Sequence, residues 1–296
     1  MKITQIRNAT LIIEYAGKRF LIDPMLGSKG SFPPYPFADS WKRNPIVELP
    51  ISLDEILHDI DAVIATHYHY DHLDSTAFKA IPKGMKIFVK DERNRRLFVR
   101  KGFSNLEILS DSTYFGGIKL GKTPAKHGTY PLLIYVGKAC GVTFEHKDEK
   151  KLYLAGDTIW YDGVRGVIDL FHPEIIIANA DGNKIKGFHR LIMNEEDVKQ
   201  LHNYAPDAII VATHLEEVNH NMVTRRFLRV FAINNGFSDK LFIPNDGEAL
   251  SFEKKQSKKR DNNHFLSISK NISMAGHFFM NSPAIYVCKP VASESW

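Results

Sequence analysis

At 296 residues, with 44% apolar and 25% charged residues, the chain has an ordinary globular composition and enough length for one large domain or two small ones. Its two cysteines, Cys140 and Cys288, exclude a disulfide framework and a C-x-x-C zinc pattern. No run approaches the roughly 18 apolar residues of a membrane span, so a reduced cytoplasmic setting is expected. The formal charge of +5 is confined to residues 254–296, where seven basic side chains face two acidic ones, and the neutral remainder carries no electrostatic footprint of a nucleic-acid partner.

The N-terminus lacks the long apolar stretch of a leader and reads as a strand. Residues 2–7, 9–15 and 18–22 alternate as a strand meander, with Ala16-Gly17 at one turn. Asp23 closes the third strand. Residues 25–50 form a long irregular insert with Phe32, Tyr35, Phe37 and Trp41. An unstructured insert of this length is usually functional or disordered, and four aromatics argue against plain disorder. It is either a wall over a site or a loop held down by its aromatics.

Asp61-Ala62-Val63-Ile64-Ala65 reads as a buried strand, and Asp74 is placed to cap a helix that follows. Between them lies Thr66-His67-Tyr68-His69-Tyr70-Asp71-His72-Leu73, with four potential metal ligands in six residues. His67 and His69 are two residues apart, not the four that would place both on one helix face. A loop can turn both imidazoles one way and leave Asp71 and His72 for a second point. The spacing suggests two adjacent cations.

Further on, a strand at 86–90 leads into a basic helix over 91–100. Its Arg93, Arg95 and Arg96 could touch phosphate or simply face solvent. Residues 106–110, 118–124, 130–137, 140–146 and 151–155 form a second strand set, with Gly116-Gly117 marking a turn. A short helix ending near Val167 follows Asp157. Strands at 175–178 and 208–212 alternate with helices opening at Asn194 and ending near Asn235. His220 either meets substrate or caps a helix, and Asp246 reads as a turn residue. Residues 253–296 read as a basic, disordered tail beyond a domain of residues 1–252.

His67-x-His69-x-Asp71-His72 resembles the signature of the metallo-β-lactamase superfamily of binuclear metal hydrolases. The resemblance extends over residues 1–252 and then expects a lone His, a bridging Asp and a final His, each at a strand end. His127, Asp157 and His214 occupy those places. The resemblance implies an α+β fold, an αββα sandwich of two mostly β layers flanked by helices. It implies that His67, His69 and His127 hold one ion and that Asp71, His72 and His214 hold the other, with Asp157 between them. Asp23 would orient a ligand histidine. The mixed N/O donor set fits two divalent ions, zinc first, with manganese or iron tolerated. The pair would share a water of lowered pKa as the nucleophile, and Asp71 would take up the proton.

Thr66 before the motif and Leu73-Asp74 after it resemble the lactonase-like and phosphodiesterase-like members. The expected substrate is accordingly a small ester, lactone or phosphoester. Two other classes stay open: an iron-dependent redox member of the same fold, and a non-catalytic metal-binding protein. The family pattern has Gly where Asp181 stands, so Asp181 adds a ligand, narrows the pocket or makes an ordinary Asp-Gly turn. An oligomer is left open.

Overall fold

The computed structural model describes residues 1–36, 38, 40–130, 137–183 and 190–254. The expected strand across 130–137, Phe37 of the insert and nearly all of the basic tail lie outside these residues.

The meander forms as its turns dictate. β1 (Lys2–Arg7), β2 (Thr10–Tyr15) and β3 (Lys18–Ile22) pair antiparallel. Ala16 and Gly17 both adopt left-handed φ, 48° and 76°, as a two-residue hairpin turn requires. A capping box from Ser52 and Glu55 starts the short α1 (Leu53–Leu57), which the sequence reading passed over. Then β4 (Ala62–Ala65), α2 (Ser75–Ala80), β5 (Lys86–Val89), α3 (Glu92–Arg100) and β6 (Leu106–Ile108) alternate. Asp74 and Asp91 cap α2 and α3 by accepting from Ala77 N and Asn94 N.

The second half repeats the plan. β7 (Thr113–Phe115), β8 (Ile118–Pro124), β9 (Cys140–Glu145) and β10 (Leu152–Leu154) are antiparallel neighbours. α4 (Asp162–Phe171), β11 (Ile175–Asn179), α5 (Glu195–Tyr204), β12 (Ile209–Thr213), α6 (Arg225–Asn234) and β13 (Leu241–Phe242) follow, with β10 to β13 parallel. α4 runs four residues past the expected end near Val167. β14 (Ala249–Ser251) returns to β1. One seven-stranded sheet has the order β14-β1-β2-β3-β4-β5-β6 and the other β13-β12-β11-β10-β9-β8-β7.

Side-chain alternation builds three apolar layers. Phe20, Ile22 and Ile64 of one sheet meet Val142, Phe144, Leu154 and Ile177 of the other. The intervening residues point outward. Leu21, Val63 and Ala65 pack on Ile56, Phe78 and Phe98 of α1 to α3. Ile176, Ala178 and Ala212 pack on Val164, Val198 and Leu228 of α4 to α6. Each fully buried Ile or Phe contributes about 1.5–3 kcal/mol. The result is the expected αββα sandwich. No described helix is long and apolar enough to cross a membrane.

The mixed strand directions matter for function. β3, β4, β10, β11 and β12 all release the chain from carboxyl ends, and the chemistry-bearing residues follow directly.

Candidate metal centre

β4 is fully buried and delivers Thr66-His67 at its end. The chain then folds back, with His72 N and Leu73 N both donating to the His69 carbonyl at 3.0 and 2.8 Å. This tight turn places His67, His69, Asp71 and His72 on one side. β8 leads to His127, β10 to Asp157 and β12 to His214. All of these except the half-buried His69 are buried.

The structure brings all seven side chains together. The Asp157 Oδ2 atom lies 3.6 Å from His67 Nε2, 3.5 Å from His127 Nε2 and 3.2 Å from His72 Nε2. Asp71 Oδ2 lies 3.3 Å from His214 Nε2 and 4.0 Å from His72 Nε2. His67 Nε2 and His69 Nδ1 are 2.9 Å apart. Two groups of donor atoms, each within 4.8 Å, match the expected ion sites: His67, His69, His127 with Asp157, and Asp71, His72 with His214; a third joins Asp23 to His67 and His72.

The outer ring nitrogens reveal what the inner ones are for. His72 Nδ1 donates to Asp23 Oδ2 at 2.9 Å, His127 Nδ1 to the Leu191 carbonyl at 3.1 Å, and His214 Nδ1 to Asp181 Oδ2 at 3.0 Å. In a neutral imidazole that leaves Nε2 as a bare lone pair. The buried Nε2 atoms of His72 and His214 have no hydrogen-bond partner, yet they face carboxylate oxygens. Acceptor against acceptor at this range is repulsive unless a proton or a cation lies between. The donor set therefore fits metal ions of the nitrogen-and-oxygen type. Without metal, protons must serve. Burial alone would lower the His72 pKa, but Asp157, Asp23 and Asp71 outweigh it and raise it to about 10. His127 has weaker compensation, and burial takes it down to about 4. Burial would raise Asp71 and Asp157, but the surrounding imidazoles hold both well below the usual carboxylate range.

Asp23 sits at the end of β3 with a left-handed φ of 42°. It accepts from Thr66 N at 2.7 Å and Thr66 Oγ1 at 2.6 Å as well as from His72. His214 itself has φ 62°. Such backbones cost about 1–3 kcal/mol each and mark functional positions.

Three further contributors have roles that the sequence left open or did not show. Asn179, at the end of β11, donates to Asp157 Oδ1 at 2.5 Å and fixes that carboxylate. A polar residue closing an apolar strand was its only signal. Asp181 is fully buried and holds His214, so it is more than the turn residue its Gly182 neighbour suggested. Tyr35 of the insert donates to Asp71 Oδ1 at 2.6 Å, leaving Oδ2 toward His214. The insert is pinned there because Asn219 pairs with Asn44 and accepts from Tyr35 N. Phe32 packs on Tyr70, whereas Trp41 is exposed. His220 lies outside both donor groups. Its Nε2 accepts from Asn183 Nδ2 at 3.0 Å, and its ring meets Tyr35 edge-on. Asp246 is not a mere turn residue: with Glu216 and Glu217 it surrounds Arg225, bracing the loop after β12.

Asp181→Asn should lower metal affinity by about 10–100-fold, because an amide can turn its N–H toward His214 Nδ1 and force the wrong tautomer. Metal titration of the variant measures this, and unchanged affinity would detach Asp181 from the site.

Comparison with known proteins agrees with this geometry. The beta-lactamase superfamily domain matches residues 18–215. The chain belongs to the beta-lactamase superfamily. The UPF0173 protein YddR of Bacillus subtilis is 44% identical over 254 residues, covering 85% of this chain and all of that protein. The crystal structure of an isothiocyanate hydrolase from Delia radicum gut bacteria is 41% identical, with a TM-score of 0.83 over 86% of this chain and 100% of that one. A possible metal-dependent hydrolase from Veillonella parvula is 36% identical, also with a TM-score of 0.83, over 85% and 99% of the two chains. This superfamily member is a metal-dependent hydrolase of the metallo-β-lactamase fold.

Proposed function

We propose that the chain hydrolyses a small ester, lactone or phosphoester at two divalent metal ions, zinc before manganese or iron. The observation that carries this reading is one carboxylate oxygen, Asp157 Oδ2, lying 3.2–3.6 Å from imidazoles of both donor groups. The kinship with the isothiocyanate hydrolase adds a further candidate substrate. There water would add across the C=N bond, and collapse of the adduct would give an amine and carbonyl sulfide.

His67, His69 and His127 would hold one ion, Asp71, His72 and His214 the other, and Asp157 both. When bound, the ions would activate a water and polarise the electrophilic atom. Asp71 accepts the proton released, and the Tyr35 hydroxyl on its Oδ1 keeps its Oδ2 turned inward. Asp23 and Asp181 keep His72 and His214 with Nδ1 protonated, so that Nε2 stays a ligand. Tyr35 and His220 border this side and would meet substrate. A cytoplasmic, small-molecule enzyme belongs to the same reading.

Metal analysis of the purified protein, joined to a panel of lactone, phosphodiester and isothiocyanate substrates, tests it. Two zinc or manganese ions per chain and turnover of one class are expected. Bound iron without hydrolysis would favour the redox class. His69→Ala should lower turnover by about a thousandfold or more while leaving the circular dichroism spectrum intact. Unchanged turnover in that variant would reject the site.

A further inference from the structure

Helix α3 presents one face to the metal histidines. Arg93, Arg96, Leu97 and Arg100 recur at three- and four-residue spacing, so they form a single stripe. A cavity of about 820 Å³ lies between this stripe and the loop carrying His67 and His69. Its volume suits a small molecule. Lys90 and Lys138 add two more cations to its wall, against Glu92 as the one acidic residue lining it.

Only part of this charge is engaged by neighbouring carboxylates. Glu92 is shared by Arg95 and Arg96 at 3.1 and 3.3 Å, and Lys90 is held by Asp91 at 2.9 Å. Arg93, Arg100 and Lys138 make no side-chain ion pair among the described residues. Asn94 gives a second and independent signal. It lines the same cavity, is only 7% exposed, and its Nδ2 donor has no hydrogen-bond partner. A buried donor without an acceptor is costly, so the amide would gain from turning toward an acceptor held in the cavity.

We propose that this cavity holds the phosphate group of the substrate, a small phosphorylated molecule whose scissile bond then faces His67 and His69. A carboxylate is satisfied by one arginine fork. Three unpaired cations and an amide donor suit a dianion with three oxygens. An uncharged electrophile such as an isothiocyanate would leave the whole wall unused. The orientation of the substrate rests on the hydrolytic reading of the His/Asp cluster, but the anion site itself does not.

The test is equilibrium binding to the full-length, metal-loaded protein, with inorganic phosphate and acetate as probes, by calorimetry at about 50 mM salt, where screening is modest. Arg93→Ala/Arg100→Ala should raise the Kd for phosphate about tenfold. Arg95→Ala should keep it within about twofold, because Arg95 does not line the cavity. Acetate should bind about tenfold more weakly than phosphate. Any affinity of phosphate for the ions is common to all three proteins, and their metal content is measured alongside. The proposal is overturned if the double variant binds phosphate as the parent does, if Arg95→Ala weakens it equally, or if acetate matches phosphate. Because the readout is binding, a failure of the hydrolytic reading would appear separately, as missing metal or missing turnover.

Discussion

Asp157→Ala is expected to lower turnover by about a thousandfold or more and to leave less than one metal ion per chain. Its carboxylate lies within 3.6 Å of three different imidazoles, and Asn179 locks its second oxygen. Thermal stability offers a second readout. A ligand that binds only the native state at 100 to 1,000 times its Kd adds about 3–4 kcal/mol. Added zinc should therefore raise the melting temperature of the parent, and that rise should vanish in the variant. Parent-like turnover together with an intact zinc-dependent shift would place the ions away from Asp157.

The site was largely legible because strand ends are legible. Short apolar runs such as Ala62–Ala65 and Ala208–Ala212 read as buried strands, and the structure has β4 and β12 there, so His67 and His214 emerge at sheet ends. Their order then matched a family pattern, and the sandwich came with it. What stayed hidden was whatever depends on tertiary contact. Nothing in the insert predicts that Tyr35 reaches Asp71, because Asn44 and Asn219, which dock that segment, lie 175 residues apart. Asp181 carries an ordinary turn signature, Asp followed by Gly, and its grip on His214 arises only once β11 and β12 lie side by side. The arginines of α3 read equally well as a solvated face. They are exposed in the structure, and the cavity beside them is what motivates the proposed anion site. Short elements such as α1, β13 and β14 are set by caps and sheet edges, and their apolar period is too brief to read.

Asp23 couples the fold to the site, and replacing it separates the two contributions. The carboxylate accepts three hydrogen bonds, from Thr66 N, Thr66 Oγ1 and His72 Nδ1. Asp23→Ala leaves a buried N–H, a buried hydroxyl and a buried imidazole without their acceptor. Such losses cost about 3–5 kcal/mol, or a melting temperature lower by about 10 °C in a chain of this size. Asp23→Asn keeps the shape and tolerates the left-handed backbone at this position. Its Oδ1 can still accept from Thr66, but its Nδ2 then meets His72 Nδ1. The imidazole must turn to the tautomer with the proton on Nε2, where it blocks coordination. Stability should fall by only about 1–3 kcal/mol, while the ion shared by Asp71, His72 and His214 is lost. One ion per chain in Asp23→Asn, by elemental analysis, is the expected result. Two ions at parental affinity would mean that Asp23 serves the backbone of Thr66 and not the tautomer of His72.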